Sequence, residues 1–483
     1  MFDIYEDTPN NADMALTRIS SCRGSLANEL LLRENNKRIF SGRGKTRVHR
    51  AAFDQIRARL TDKLKLLRTH FEEVIGYAAT PHPKIKLRMK SMCDLLNSAA
   101  LEGLYTTKIA GKTKLFERAK PGKYPRYIGD YSCPGSLLAG YLCELAKKSF
   151  ETFKTSDGKF TATYSASSDA HSLDCLGEQL HHSSNTFVYF SDDSVLKLNG
   201  QLFEIDISSC DKSNTQTIFD IVEHLFGGDA YFQSVISKNI KQCALPLRHT
   251  NPHNKSIGVN LKPAYPIEFS GSTLTTLLNN IASLSIGLNA YLSGCSTSDD
   301  VIQSAIAVGY DVTCSARSSL PKTQFLKHSW FVDVDKNIVC SFTNLGTMMR
   351  SFGTCAGDLP GAGNIFSRAR IWNSAVTKGY KHAGTTRWLE VLTKVFDEPL
   401  GKLRLPFEIE KHFSSSSRYP VPDSVVLERY GFTSPMWDHF IKLCEVGCGS
   451  HSTIRHPVLD IIFLVDYGLD PRVPDHVSHH EPL

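Results

Sequence analysis

Long apolar runs are missing from this 483-residue chain. No stretch of ~18 or more such residues occurs, so no membrane-spanning helix is expected. The opening residues, MFDIYEDTPNNADMALTRIS, are acidic and lack the apolar core of a secretory signal. The thirteen cysteines follow no regular spacing, which fits free buried thiols in a reducing compartment better than a disulfide framework. There is no internal repeat and no long low-complexity linker. The glycine-rich GDLPGAGN of residues 357–364 lacks the Lys-Ser/Thr that a phosphate-binding P-loop needs. What is present is ordinary for a globular protein: 41% hydrophobic and 22% charged residues, a mean hydropathy of −0.21, and length enough for a sizeable core.

The net charge of +6 is unevenly placed. Between Arg33 and Arg68, twelve Lys and Arg face only Glu34, Asp54 and Asp62, a local charge of +9 that leaves −3 for the remainder. A polyphosphate partner would explain such a block. So would a solvated helix face, the commoner origin of a charge run. Residues 1–80 have mainly helical patterning, and PHPKIKLRMK alternates basic with apolar positions, lining up Lys84, Lys86, Arg88 and Lys90 if extended. Residues 105–130 read as a basic, loop-like segment rich in Lys, Gly and Pro. Helical patterns are expected over 214–226, over 272–290, and repeatedly after about 345; the last stretch, DPRVPDHVSHHEPL, reads as a frayed tail.

Residues 185–207 carry the most information. Phe187 to Phe190 is a β-prone run, Ser191-Asp192-Asp193 a turn, and Ser194 to Leu198 a second run. Asn199-Gly200 is the strongest short hairpin signal, because a type I′ turn needs positive φ at both central residues. Gln201 to Ile207 then completes a three-stranded antiparallel meander. With a two-residue loop, Leu198 faces Gln201, and Asp193 falls opposite Asp206, with Asp192 one step further on. Directly opposed residues have Cβ atoms roughly 4.5–5.5 Å apart. Three carboxylates converging this way repel unless divalent cations hold them, and two metals on shared aspartates are the apparatus of in-line phosphoryl displacement. The bland alternative is a polar turn and nothing more.

DISSCD places Asp206 and Asp211 five apart across a strand end, before a helix striped with Ile218, Phe219, Ile221, Val222, Leu225 and Phe226. In FSGSTLTTLLNNIASLSIGL, Ser270-Gly271 is a flexible loop. Gly271, Thr275 and Asn279 follow at i, i+4 and i+8, opposite an apolar face of Leu274, Leu277, Leu278 and Ile281. Polar residues stacked beside a glycine loop suit contact with a sugar, although each taken singly is more often a cap or a solvated residue.

Together these segments resemble the palm of viral RNA-dependent RNA polymerases: DISSCD is similar to motif A, SGSTLTTLLN to motif B and YFSDDS to motif C. Motif C precedes A here, as in the permuted enzymes of birnaviruses and permutotetraviruses. An Asn-Gly turn can join the two neighbouring strands without disturbing the sheet. KTKLFERAKPGKYPRYIGDY resembles motif F through Lys112, Lys114, Glu117, Lys123, Arg126 and Ile128. SDDVIQSAIAVGYDV resembles motif D, and TQFLKHSWF motif E. The resemblance spans about 105–335. The motif C triplet is Ser-Asp-Asp where Gly-Asp-Asp is commoner.

The resemblance implies an α+β right-hand fold with fingers, a permuted ferredoxin-like antiparallel palm sheet and a mainly helical thumb. The expected divisions are 1–84 (N-terminal extension and fingers contact), 85–185 (fingers with motif F), 186–345 (palm, with a fingers insertion at about 227–262) and 346–483 (thumb and tail). It implies catalysis and metal binding at Asp206, Asp192 and Asp193 with two Mg²⁺ or Mn²⁺. Ribose and nucleotide selection would fall to Asp211, Asn279, Thr275, Ser270 and Gly271, and triphosphate binding to Lys112, Lys114, Lys123 and Arg126. The general acid would be Lys322 or Arg317. Implied partners are RNA template and product, ribonucleoside triphosphates and other viral or host replication proteins, in the host cytoplasm or the virion. No protease, helicase or capping domain is expected beside the polymerase.

Three competing readings bear on these residues. STSDD at 296–300 is a second Ser-Asp-Asp where an unpermuted motif C would lie, but it precedes helix-patterned residues, and Ser298 reads as an N-cap. A reverse transcriptase would carry a bulky residue in place of Asp211, and an RNA-binding nucleocapsid protein would have no use for the carboxylates. Cys444, Cys448, His451 and His456 mix zinc-ligand types, but their spacing matches no common finger; buried thiols beside surface histidines are the preferred reading.

Overall fold

A six-stranded sheet supports the candidate site. The structure, a computed structural model, describes residues 46–69, 105, 108, 110–115, 127–131, 134–165, 169–214, 216–250, 258–261, 268, 270–352, 363–380, 384–399, 419–447 and 454–468. In chain order come α1 (Thr46–Thr69), β1 (Gly111–Leu115), β2 (Tyr127–Asp130), α2 (Pro134–Lys147), β3 (Thr152–Lys154), β4 (Thr161–Tyr164), α3 (Ala170–His182), β5 (Thr186–Phe190), β6 (Asp193–Leu198), β7 (Gln201–Ile207), α4 (Cys210–Ser213), α5 (Gln216–Leu225) and α6 (Ala230–Gln242). Then follow β8 (Leu247–Thr250), β9 (Gly258–Leu261), α7 (Thr275–Ser293), α8 (Ser298–Ala307), β10 (Val312–Arg317), β11 (His328–Asp333) and β12 (Ile338–Thr343). Next are α9 (Leu345–Ser351), α10 (Ile365–Tyr380), α11 (Arg387–Val395), α12 (Asp423–Tyr430), α13 (Ser434–Gly447) and α14 (Pro457–Tyr467).

The Asn-Gly turn sets the register. Asn199 and Gly200 have φ of 50° and 86°, the type I′ requirement. Leu198 pairs with Gln201, and Asp193 with Asp206, as the residue arithmetic predicts. The strand order is β10-β7-β6-β5-β4-β3. Every neighbouring pair is antiparallel except β4–β5. The sheet is therefore mixed, and it begins at Thr152, earlier than the boundary at 186 read from the sequence. A parallel pair needs a crossover, which α3 supplies between β4 and β5.

Opposite faces of the sheet pack on different layers. Phe187, Tyr189, Leu196, Leu198, Phe203 and Ile205 join the main core with α5 and α7. Val188, Val195 and Leu202 pack on the other side with α3 residues and Trp330. β5 is thus covered on both sides, which accounts for its unbroken apolar run. α7 is buried continuously from Leu277 to Ala290, so the expected split into a polar and an apolar face does not hold. A Cβ at Gly287 would lie 2.6 Å from the Phe187 ring; only glycine lets this helix approach the sheet so closely.

Two basic regions differ from expectation. Residues 105–130 are not merely loop: β1 and β2 pair antiparallel, and β1 pairs parallel with β8, placing the 227–262 insertion against this ribbon. In α1, Arg59 donates to the carbonyls of Ser149, Phe150 and Thr152, and Arg57 to that of Gly227. Arg50 pairs with Asp54 and Lys63 with Glu151. Arg57, Arg59 and Lys63 of the basic block therefore join α1 to neighbouring segments, which neither a polyphosphate partner nor a solvated face had led one to expect. Lys84, Lys86, Arg88 and Lys90 lie outside the described residues.

Beyond residue 345 the described chain is helical, around a second core that includes Trp388, Trp437, Phe440 and Ile462. Its polar centre is an ion pair between Arg429 and Asp466 at 2.7 Å, with side chains only 2% and 1% exposed. Arg429 also donates to Pro321 O, while Asp466 accepts from Gly346 N–H and Tyr430 O–H. Cys444 is buried in this core, and His456 caps α14 and contacts His439 at 3.1 Å. Cys448 and His451 lie outside the described residues. Among the described residues, no helix is long and apolar enough to cross a membrane.

Candidate active site

The β5–β6 turn is two residues long, Ser191 and Asp192, because Phe190 already pairs with Asp193. Ser191 has φ of 56°, an uncommon conformation for a residue with a Cβ. It persists because three side chains of α7 hold the peptide. Ser191 N–H donates to Asn280 Oδ1 at 2.7 Å, Ser283 Oγ donates to Ser191 O at 2.5 Å, and Asn279 Nδ2 donates to Ser191 Oγ at 3.3 Å. Strain of this kind costs about 1–3 kcal/mol and is retained where surroundings over-determine it. Its consequence is a fixed position for Asp192.

Beyond β7 the chain turns at Ser209, also left-handed with φ of 49°, into the short α4 that carries Asp211. Burial pushes the Cys210 thiol well above its ordinary pKa, and the charges of Glu268, Asp192, Asp211 and Asp206 add to the effect. Those four acidic groups, drawn from different parts of the chain, thus lie within electrostatic reach of one buried thiol. The Ser270 hydroxyl donates to Asp211 Oδ2, closing the rim opposite the carboxylates. Ser270 O accepts from Gly129 N–H at 2.8 Å, joining this loop to β2. Gly271, at φ of 96°, lies so close to β2 that a Cβ would meet Ile128 Cγ2 at 2.5 Å and Gly129 O at 2.6 Å.

Several expected residues stand differently from the sequence reading. Asp193 faces Asp206, but its Oδ2 accepts Leu326 N–H at 2.8 Å, inside the tight turn 325–328. Leu326 and Lys327 both have positive φ there, at 48° and 64°. Burial pushes the Asp193 carboxyl up to about 7; Leu326 N–H and the Lys327 charge restrain the rise, and Asp192 and Glu204 add to it. Asn279 is only 3% exposed. Its Oδ1 accepts from Cys210 Sγ and Asn214 Nδ2, so it belongs to the frame beneath the rim. Thr275 is the first residue of α7, and Gly271 precedes the helix.

Arg317 pairs with Glu204 at 2.6 Å. It lies four residues along β10 from Thr313, the partner of Asp206, hence about 13 Å away along the strand. Lys322 is exposed in a segment whose neighbours Leu320 and Pro321 line a cavity with Lys197 and Gly200, at the opposite end of the sheet. Lys327, which the sequence reading missed, is the cation whose charge acts on Asp193. Lys112 is exposed on β1, Lys114 lies in the same strand, and Lys123 and Arg126 fall outside the described residues. The second Ser-Asp-Asp opens α8, although the cap is Thr297 and not Ser298; Thr297 and Asp300 form a capping box.

Among the described residues, no three His, Cys, Asp or Glu side chains form a group that could hold a metal by themselves. Of the three expected carboxylates, Asp193 gives one oxygen to Leu326 N–H in the 325–328 turn. Mg²⁺-type ions commonly take one or two carboxylates and complete their shell with water and substrate phosphate. A site offering Asp206 near the end of β7 and Asp192 in the β5–β6 turn would be of that open kind.

No family model and no curated protein matches this sequence. Among solved structures, the chain is similar to the X-ray structure of the birnavirus VP1–VP3 complex, with a TM-score of 0.42 and 10% identity over 82% of this chain and 58% of that one. It is similar to the same extent to RNA polymerase VP1 from Infectious Pancreatic Necrosis Virus, with a TM-score of 0.43, 10% identity, 82% of this chain and 58% of that one. The chain thus spans a little over half the length of either. With likeness at this level, its chemistry has to be read from its own residues.

Proposed function

We propose that this chain is a template-directed RNA polymerase with a permuted palm, adding ribonucleoside monophosphates from triphosphates to an RNA 3′ end. The observation that carries this reading is the pairing of Asp193 with Asp206 across the Asn199-Gly200 hairpin. It sets Asp192 at the turn, while Asp211 and Ser270 form the adjoining rim. Asp206 and Asp192 would hold two Mg²⁺ or Mn²⁺ ions. When bound, such ions neutralise phosphate charge and favour both the attacking and the leaving oxygen. Asp211 would accept a hydrogen bond from the ribose 2′-hydroxyl, the group that separates RNA from DNA precursors. Ser270 and Gly271 would steer the nascent base pair, with Thr275 behind them and Asn279 fixing the Ser191 turn from beneath. Lys112 and Lys114 of β1, together with Lys123 and Arg126, would bind the triphosphate.

Asp193 is assigned a supporting role through Leu326, and the proton donor is not assigned to Arg317, which is committed to Glu204. The polymerase would work with other viral or host replication proteins, in the host cytoplasm or the virion. A nucleocapsid protein would use free basic side chains, and Arg57 and Arg59 are instead committed to backbone carbonyls. The test is primer extension on an RNA template with Mg²⁺ or Mn²⁺, offering ribo- and deoxyribonucleotides separately. Ribonucleotide addition to the template's length supports the proposal. RNA binding without extension overturns it, and a preference for deoxyribonucleotides favours reverse transcription.

A further inference from the structure

Glu268 is a carboxylic acid with no part in the chemistry proposed above, yet it is only 2% exposed. Burying such a group unpaired is costly, so its partners indicate what holds it there. Glu268 Oε2 accepts from Asn214 Nδ2 at 2.9 Å. Asn214, 0% exposed, is fully engaged: it also donates to Asn279 Oδ1 at 3.0 Å and accepts from Tyr310 O–H at 2.9 Å. Asn279 continues to Ser191 Oγ. One chain of side-chain bonds therefore links the segment before the 270–271 loop, the end of α4, helix α7 and the turn bearing Asp192.

The same two segments meet twice. At the rim, Ser270 bonds Asp211. Behind it, Glu268, two residues before Ser270, bonds Asn214, three residues after Asp211. The rim contact joins the loop to α4 by one hydrogen bond and Glu268 adds a second, so α4 is gripped at two points by a loop that Ser270 O and Gly271 already hold against β2. We propose that Glu268 is a positioning residue that clamps Asn214 from behind and thereby sets the Asp211–Ser270 pair to distinguish a ribose from a 2′-deoxyribose. This inference rests on the polymerase reading. Burial, with the nearby Asp211 charge second, drives the Glu268 carboxyl well above the ordinary carboxylate range. Its partner Asn214 is a neutral amide, so the clamp depends on reach and on an acceptor in place.

That distinction gives the test. Glu268→Gln keeps the reach and an acceptor for Asn214, whereas Glu268→Asp keeps the acid but withdraws it by one methylene. The readout is the ratio of kcat/KM for a ribonucleotide to that for its 2′-deoxy counterpart, measured on the full chain by primer extension. The ratio is expected to fall about tenfold in Glu268→Asp, the value of one buried hydrogen bond, and to stay within about threefold of wild type in Glu268→Gln. Equal ratios in both variants, or a loss of thermal stability with the ratio unchanged, overturn the proposal. A wild-type chain that extends no primer refutes the polymerase reading instead. The clamp is then judged by a thermal-unfolding double-mutant cycle between Glu268→Gln or Glu268→Asp and Asn214→Ala: coupling with Asp but not with Gln upholds it, and none with either removes it.

Discussion

Gly271→Ala separates the cost of a backbone conformation from the cost of a close approach. At φ of 96°, any Cβ is unfavourable, about 1–2 kcal/mol from the left-handed geometry alone. The new methyl would also lie 2.5 Å from Ile128 Cγ2 and 2.6 Å from Gly129 O. The isoleucine methyl can rotate away. The carbonyl cannot, because it belongs to β2, whose Gly129 N–H holds Ser270 O. Relief requires the loop to move off the ribbon by several tenths of an ångström, a typical overpacking cost of about 1–3 kcal/mol. Gly294→Ala is the control: it has φ of 66°, but nothing lies within 4 Å of the position a Cβ would take. Thermal unfolding is expected to show Gly271→Ala losing about 1–3 kcal/mol more than Gly294→Ala. Primer extension is expected to fall on the order of 10²-fold in Gly271→Ala only, since the Ser270–Asp211 rim moves with the loop. If the two variants match in both assays, the packing of this loop on β2 is wrong.

Other expectations follow from single contacts. Asp466→Asn leaves Arg429 charged in the helical core with its partner gone, and denaturant unfolding should show a loss of about 3–5 kcal/mol; a loss below 1 kcal/mol would mean that the pair is not buried. Asp193→Asn retains an acceptor for Leu326 N–H, so its activity should stay far above that of Asp206→Asn in the same extension assay. Equal loss in both would return Asp193 to the metal ligands. His456 is held below its usual pKa by burial and by His439, and its Nδ1 must be unprotonated to accept Val458 N–H. Its contribution is therefore present above the unfolded-state value near 6.5 and is lost as pH falls below it. Melting temperature should drop across that window in wild type and less in His456→Asn, which caps a helix without titrating. An identical pH profile in the two would remove His456 as the cause.

Much of the site was legible because its determinants are local. Asn199-Gly200 admits essentially one turn type, and strand pairing then carries Asp193 to Asp206 by counting alone. Residues 296–300 read as a helix start for the same reason, although the capping hydroxyl proved to be Thr297. What escaped was set by distant partners. Asp193 finds Leu326 across 133 positions, and nothing near either residue announces the bond. Asn279 sits at a spacing that suits a surface, yet α7 is covered on every side, so its amide turns inward to Asn214 and Ser191. β3 and β4 are short and weakly patterned, and only their pairing beside β5 places them in the sheet. The charge of α1 left an external partner and a solvated face both open, because a sequence does not show which carbonyls lie within an arginine's reach.

The central claim is that the catalytic carboxylates are those of the permuted hairpin, Asp192 and Asp206, and not those of the later Ser-Asp-Asp. Single-nucleotide incorporation by wild type, Asp206→Ala, Asp192→Ala and Asp299→Ala, on one RNA primer-template with Mg²⁺ or Mn²⁺, tests it most directly. The account predicts incorporation by wild type and Asp299→Ala and its loss in the other two. Loss in Asp299→Ala with activity retained in Asp192→Ala would contradict it.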